Sequence, residues 1–526
     1  MNNDTITATA TGLKAAGISI IRISGDKAFD IADRIFRSKS GITVKDMKSY
    51  TVSYGHIVEA GSGRMIDEVL LIKMAAPSTY TREDIVEIDC HGGITVTKDV
   101  LRAVMSAGAR LAEPGEFTKR AFLNGRIDLS QAEAVSDLIA SDSEAAVKNS
   151  LRQLNGNIRD KISGLRNELL TKTAYIEAAL DDPEHISLDG FSGELSETVE
   201  KVYKEILKLI NSFDNGRIIK NGINTVILGS PNVGKSSLMN RLLGQDRAIV
   251  TDIPGTTRDI LSESVIISGK TGDAGNKDKN DQYWDKDLRA GYQIKLNIMD
   301  TAGIRKTDDI IEKIGVDRAR KAAEEANLIL FVVDSSRDGI SSEETEELKE
   351  ISNIKTIVLL NKSDVDSEYD TERYPEEIEK ITGHKAMLYD RNNSDHERNV
   401  DKESISENEG NIDKESISEG VIPVIQISAR TGEGMEELEN CIVEMFFKEE
   451  IDSDDNIYIS NLRQKELLDK AAKSLENVSA AIEQGLSEDF YTIDLSDAYT
   501  ALGLITGEHV EDELADKIFS EFCMGK

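Results

Sequence analysis

The stretch Gly229-Ser-Pro-Asn-Val-Gly234-Lys235-Ser236 constrains this chain more than any other, because a short apolar run leads into it and a helical pattern leads out. G-x-x-x-x-G-K-S between a strand and a helix is the spacing of a phosphate-binding loop. Its glycines let backbone N–H groups approach phosphate oxygens. Lys235 brings positive charge to the β and γ phosphates, and the Ser236 hydroxyl can reach Mg2+. Asn232, Val233, Gly234 and Ser237 belong to the same cradle. The rest of the chain has to supply a sheet that can hold this loop.

Apolar runs at residues 224–230, 294–300, 328–334, 356–362 and 421–428, most of them separated by helical stretches, supply it. Such runs predict buried parallel strands in an α/β sheet. Asp300-Thr-Ala-Gly303 closes one run, with a carboxylate suited to Mg2+ through water and a glycine N–H suited to the γ-phosphate. Asn361-Lys362-Ser363-Asp364 closes another. Asp364 can accept from the N1–H and the 2-amino group of guanine. Adenine offers neither donor and would leave a buried carboxylate unpaired, so the expected ligand is GTP. Ser428-Ala429-Arg430 lies downstream, where it completes a base site. Between the first two motifs, Thr251-Asp-Ile-Pro-Gly-Thr256-Thr257-Arg258-Asp259 reads as a loop that closes over Mg2+, with Thr257 as the contact. Ile304 follows the glycine of the second motif and cannot orient a water. Arg258, Asn232 and acids beyond Ile304 are the candidates for assisting hydrolysis; Glu312 is one of them, although by itself it reads as a solvated helix position.

At 526 residues the chain exceeds one ordinary core, and several domains are expected. The first ~125 residues mix strand patterns with helical ones, residues 129–210 read as long helices, and the pattern turns helical again after about residue 450. The α/β unit is therefore expected as an insertion between two parts of one helical domain. Polar segments at 269–291 and 390–420, the latter holding a near-duplicate (NVDKESISE, NIDKESISE), read as mobile surface expansions. Cys90, Cys441 and Cys523 are too dispersed for a metal cluster or a disulfide framework. The start lacks the pattern of a secretory signal, and no apolar run reaches the ~20 residues of a membrane span, so a cytoplasmic protein is expected. A net charge of −34 repels bare phosphate backbone and argues against a dedicated nucleic-acid binder.

Together with the GTPase motifs, four other stretches carry a resemblance: IIRISG at 20–25, REDIVEIDCHGG at 82–93, PGEFTKRAFLNGRIDLSQAEAVSDLI at 114–139 and the terminal FCMGK. The chain resembles the tRNA modification GTPase family MnmE (TrmE) over nearly its whole length except the polar insertions. The resemblance implies a multidomain α/β and α protein. A Ras-like P-loop GTPase domain (residues 221–448) is inserted into a discontinuous helical domain (125–220 and 449–526), preceded by an α+β folate-binding and dimerising domain (1–124). It implies a homodimer that works with the FAD protein MnmG as a heterotetramer. The pair adds an aminomethyl-type group to the wobble uridine of tRNA with a one-carbon unit from 5-formyltetrahydrofolate or a related tetrahydrofolate.

Hydrolysis in the family needs K+. Carried onto this sequence, Asn232, the carbonyls of Thr251 and Ile253, and Thr256 resemble the K+ ligands, and Glu312 resembles the water-orienting glutamate. Arg22, Glu87, Arg126 and Lys526 resemble the folate site, with lysine as an alternative at the place of Arg126. Arginine and lysine suit folate carboxylates, and Glu87 suits a pterin amino group. Read without the resemblance, Arg22 fits an ion pair, Glu87 a solvated strand position, Cys523 a small buried residue and His91 a turn or packing residue. The competing functions are a ribosome-assembly GTPase, which would need a basic RNA-binding module that the acidic tail from residue 451 does not offer, and a non-catalytic GTP switch or scaffold.

Overall fold

The computed structural model describes residues 4–244, 248–249, 262–269, 292–299, 326–351, 353–365, 370–389, 420–446, 457–508, 517–520 and 522. Thr251, Ile253, Thr256, Thr257, Arg258, Asp300, Gly303, Ile304, Glu312, Cys523 and Lys526 lie outside these residues, as do the polar segments 270–291 and 390–419. The chain forms two compact units. One combines Met1–Ala140, Ser150–Ile210 and Leu462–Lys526; the other combines Ser141–Asn149 with Asn211–Asn461.

The first unit is built on a seven-stranded sheet of β1 (Ile6–Thr9), β2 (Ile18–Ser24), β3 (Phe36–Ser38), β4 (Thr51–Val58), β5 (Met65–Met74), β6 (Ile85–His91) and β7 (Arg110–Leu111), in the order β3-β4-β5-β6-β2-β1-β7. Neighbours are antiparallel except β1 and β7. Alternation decides the faces. Ile21, Ile23, Val69, Leu71, Val86 and Ile88 form one buried layer with residues of helices Ala28–Ile35 and Ile94–Ser106. The other face carries Arg22, Glu87 and Asp89, and only part of it is covered, by Ile6, Ala8, Ala112, Phe117 and Tyr80.

Helices of this unit come from both ends of the sequence. Glu133, on helix Leu129–Ala140, is almost fully buried and accepts from Arg463 (2.9 and 3.0 Å) and Gln464 (2.7 Å) on helix Leu462–Glu483. Arg166, on helix Asn157–Asp181, stacks 4.1 Å from the centre of Tyr499 on helix Glu488–Thr506 and pairs with Glu508. Stripping either partner from the largely buried Glu133–Arg463 pair leaves a charge uncompensated, at a cost of roughly 3–5 kcal/mol.

The second unit holds an eight-stranded sheet of β8 (Ile223–Leu228), β9 (Ala248–Ile249), β10 (Ser262–Gly269), β11 (Tyr292–Met299), β12 (Leu328–Asp334), β13 (Thr356–Asn361), β14 (Ala386–Leu388) and β15 (Ile422–Ile427), in the order β14-β15-β13-β12-β8-β11-β10-β9. Strands β14 to β11 pair in parallel, whereas β10 and β9 extend the edge antiparallel. Every residue of β12 and β13 is buried, as parallel strands covered on both faces require. β10 was not expected from the sequence, because SESVIISG is too polar to read as a buried run. Ala146 packs into this unit's core and Asp142 accepts from Lys295 of β11 at 2.7 Å, which binds the segment before residue 150 to the α/β sheet. The two ends of the segment Asn211–Asn461 touch: a Cβ on Gly216 would lie 2.2 Å from the Ile459 carbonyl, and Ile459 N–H donates to Ser212 Oγ at 3.1 Å. Adjacent ends are what an inserted unit needs.

Candidate functional site

The phosphate loop leaves β8 and enters helix Lys235–Leu243, so the first free N–H groups of that helix face the loop. Two glycines are dictated by contact. A Cβ on Gly229 (φ +130°) would lie 2.2 Å from the Val332 carbonyl, and one on Gly234 (φ +107°) 2.1 Å from Asn361 Nδ2. Asn232 takes a left-handed φ of +66°, and Val233 is buried while Ser236 and Ser237 are exposed. Lys235 Nζ donates to the carbonyls of Gly229 and Ser230. Burial draws this ammonium below its usual range, with Glu347 and Glu344 opposing the shift. A partly desolvated cation is the group that gains most from an anionic ligand.

The base-selecting motif follows β13, at the carboxyl end of the parallel sheet, where ligands of open α/β sheets bind. Three of its residues tie the turn to neighbouring loops. Asn361 Nδ2 donates to the Val233 carbonyl (2.7 Å), and its Oδ1 accepts from Ala429 N–H (2.9 Å), so one buried amide ties the phosphate loop to Ser428-Ala429-Arg430. Lys362, at φ +72°, donates to Asp334 at the end of β12 (2.6 Å). Asp364 accepts from Ser428 Oγ at 2.7 Å and has the exposed Arg430 at 3.8 Å. Arg241, on the phosphate-loop helix, donates to the carbonyls of Ala429 and Arg430. The structure thus gathers Asn232, Val233, Gly234, Lys235, Ser236, Ser237, Asn361, Lys362, Asp364, Ser428, Ala429 and Arg430 along one sheet edge. Asp334 and Arg241 were missed, because neither belongs to a contiguous motif.

A second candidate site sits on the open face of the first unit. Arg22 and Glu87 face each other across β2 and β6 and form an ion pair at 2.7 Å, each about a fifth exposed. The Arg22 guanidinium lies 5.7 Å from the ring centres of both Tyr80 and Phe117. Arg126 lies 4.7 Å from Tyr80, whose hydroxyl is bonded to Thr118 Oγ1 at 2.9 Å. Tyr50, Met74, Thr79, Tyr80, Arg82 and Arg126 line a cavity of about 340 Å³ beside it. Asp89 stands one step along β6 from Glu87; burial, with help from Glu87, raises its carboxyl above the usual range, and its buried Oδ1 has no partner. Tyr80 is the organising residue that sequence reasoning missed; the available signal was a lone aromatic in the polar turn before β6.

The long stretch from Pro114 frames this site. A Cβ on Gly115 (φ +66°) would lie 2.6 Å from the Phe519 carbonyl and 2.8 Å from Phe522. Phe519 and Phe522 stack edge-on at 5.1 Å in the cluster that Tyr80 and Phe122 join, so the chain reaches this neighbourhood just before its terminal four residues. Glu116 accepts from Arg110, Arg120 and the Glu113 N–H; burial pushes its carboxyl up, and these donors outweigh burial and hold it low. His91 is set by Asp67, which takes both its ring Nδ1 and its backbone N–H at 2.8 Å. The Cys90 thiol donates to the Ser19 carbonyl, and burial pushes it up to about 11. No helix among the described residues is long and apolar enough to cross a membrane.

Two family models match: one described as the MnmE helical domain over residues 129–523, the other as the GTP-binding protein TrmE N-terminus over residues 5–126. The "tRNA modification GTPase MnmE" of Lachnoclostridium phytofermentans is 48% identical over 527 residues, spanning 100% of both chains. The proteins of the same name from Acetivibrio thermocellus (42%, 99% of each chain) and Clostridioides difficile (41%, 100% of this chain and 99% of that one) agree with it. With a phosphate loop joined through Asn361 to a base-selecting turn, and with relatives alike from end to end, the chain belongs to the tRNA modification GTPase MnmE (TrmE) family.

Proposed function

We propose that the chain is a K+-activated GTP hydrolase which, with the FAD protein MnmG, takes part in adding a carboxymethylaminomethyl-type group to C5 of the tRNA wobble uridine, using a folate one-carbon unit. The observation that carries this reading is the convergence of Arg126 and of Arg22, itself ion-paired to Glu87, on Tyr80 in a member of a tRNA modification GTPase family. An ion pair beside an aromatic ring and a second guanidinium suits a flat pterin bearing an amino group and a carboxylate tail. Lys526 would add a second cation for that tail.

In the GTP site, Gly234 and the N–H groups that follow it bind phosphates, Lys235 offsets their charge, and Asp364 reads guanine. Ser236 and Thr257, with Asp300 through water, would hold Mg2+, which neutralises phosphate charge when bound. Asn232, the carbonyls of Thr251 and Ile253, and Thr256 would hold K+, which supplies the positive charge of an arginine finger. Gly303 senses the γ-phosphate, and Glu312 orients the attacking water.

We propose the four-segment domain layout (1–124, 125–220, 221–448 and 449–526), a cytoplasmic location and a homodimer. The exposed row of Ile18, Val52, Tyr54 and Leu70 on the open sheet face supports a second copy as its cover. Most tRNA affinity belongs to the complex with MnmG, since a −34 chain repels phosphate backbone. The deciding experiment compares wobble-uridine nucleosides in cells with and without the gene; unchanged nucleosides sink the reading. Turnover in K+ against Na+ tests the cation set, and Glu312→Ala should spare GTP binding while cutting turnover.

A further inference from the structure

In the base-selecting motif, the side chain of Lys362 is held by a residue that lies outside every GTPase motif in the chain. Lys362 has a left-handed backbone, a conformation that is strained for a residue with a Cβ and persists where the surroundings fix it. Its ammonium ends 2.6 Å from Asp334 Oδ2. Asp334 is 3% exposed, and its other oxygen accepts from Ser336 N–H (3.1 Å) and Ser336 Oγ (2.5 Å), so the carboxylate cannot swing away. Arg337 Nε stands 3.4 Å from Oδ2 on the solvent side. The backbone reinforces the arrangement: Asp334 and Asn361 are register partners at the ends of β12 and β13, and Ser335 donates to the Asn361 carbonyl through both N–H (2.9 Å) and Oγ (2.8 Å).

These contacts draw the four-carbon stem of Lys362 from the turn back to the end of β12, two residues from the carboxylate of Asp364 that reads the base edge. A long lysine stem has rotamer entropy to lose on ordering. If Asp334 holds it before ligand arrives, that cost does not fall on binding.

We propose that Asp334 is a positioning residue for guanine-nucleotide recognition, acting through Lys362 by fixing the lysine stem beside the base site.

The test is a double-mutant cycle on the full-length protein, read by titration with a fluorescent methylanthraniloyl-GTP and by the melting temperature without nucleotide. Asp334→Ala should weaken nucleotide binding about tenfold, the size expected for a lost charged hydrogen bond. Lys362→Ala should weaken it at least as much. The double variant should be no weaker than Lys362→Ala alone, because Asp334 then has nothing left to position. Asp334→Asn, which keeps an acceptor, should recover part of the loss. Two results overturn the proposal: wild-type affinity in Asp334→Ala, or losses that multiply in the double variant, which would mark Asp334 as a structural residue. Should Asp334→Ala fail to fold, Asp334→Asn with Lys362→Ala closes the same cycle and is read in the same way.

Discussion

The GTP site and the candidate site of the first unit are made in opposite ways. The GTP site is a set of turns at one edge of a parallel sheet, and its side chains serve mainly to tie backbone to backbone: Asn361 joins Val233 to Ala429, and Arg241 holds the carbonyls of Ala429 and Arg430. The site in the first unit lies on an open sheet face, and its side chains touch one another directly: Arg22 with Glu87, Tyr80 and Phe117, and Arg126 with Tyr80. A backbone cradle fails when a Cβ or a lost tie moves the chain. A side-chain cluster degrades one contact at a time.

The largest effect should come from Gly234→Ala, since the new Cβ would lie 2.1 Å from Asn361 Nδ2 at a backbone φ of +107°. GTP titration should show binding reduced more than a hundredfold, by analogy with other substitutions that disrupt a special backbone conformation and a buried bond together. Near-normal binding would show that the loop can shift, and the contrast between the sites would dissolve.

Asn361→Ala removes one buried partner from each of two loops, a loss of about 1–3 kcal/mol per group left unsatisfied. Affinity should fall at least roughly thirtyfold, the lower bound of the two losses together, and hydrogen exchange should rise at Val233 and Ala429 together. A change confined to one loop would show that the amide does not couple them.

In the first unit the effects should be graded. Arg22→Ala leaves Glu87 without its cation and should weaken 5-formyltetrahydrofolate binding about tenfold in isothermal titration, with GTP binding untouched. Tyr80→Leu removes the ring under two guanidinium groups, each contact worth about 0.5–1 kcal/mol, so a loss of several-fold is expected. Equal losses from both variants would make this site an all-or-none assembly like the first.

The smallest effect is on pH. Burial pushes the Asp334 carboxyl up, but Lys362 and Ser336 hold it below its ordinary value of 3.8. A carboxyl held low in the fold stabilises it above the unfolded value and loses that contribution as pH falls through the folded one. The melting temperature of wild type should therefore exceed that of Asp334→Asn at neutral pH, and the gap should close only as pH falls below 3.8.

The contrast also explains what could be read in advance. The phosphate loop and the base-selecting turn are contiguous because a tight turn that binds through its own backbone is encoded locally, and β12 and β13 were visible as unbroken apolar runs. Strand β10, next to the edge, was not visible, because an antiparallel strand with polar residues lacks that signature. Arg22, Glu87 and Arg126 emerged from resemblance rather than spacing. Tyr80 and Asp334 did not emerge, since each takes its meaning from a neighbour many residues away.

By itself, then, the sequence determined the α/β class, the loop that meets phosphate and the turn that meets a base, all of them short-range consequences of glycine placement and apolar periodicity. Only the tertiary structure decided which distant residues meet: Asn361 between two loops, Arg22 and Arg126 at one ring, Glu133 with Arg463 across more than three hundred residues. The reason is physical. Local geometry is written in neighbouring residues, whereas a buried charge or a stacked ring needs a partner that only the packing of the whole chain can bring.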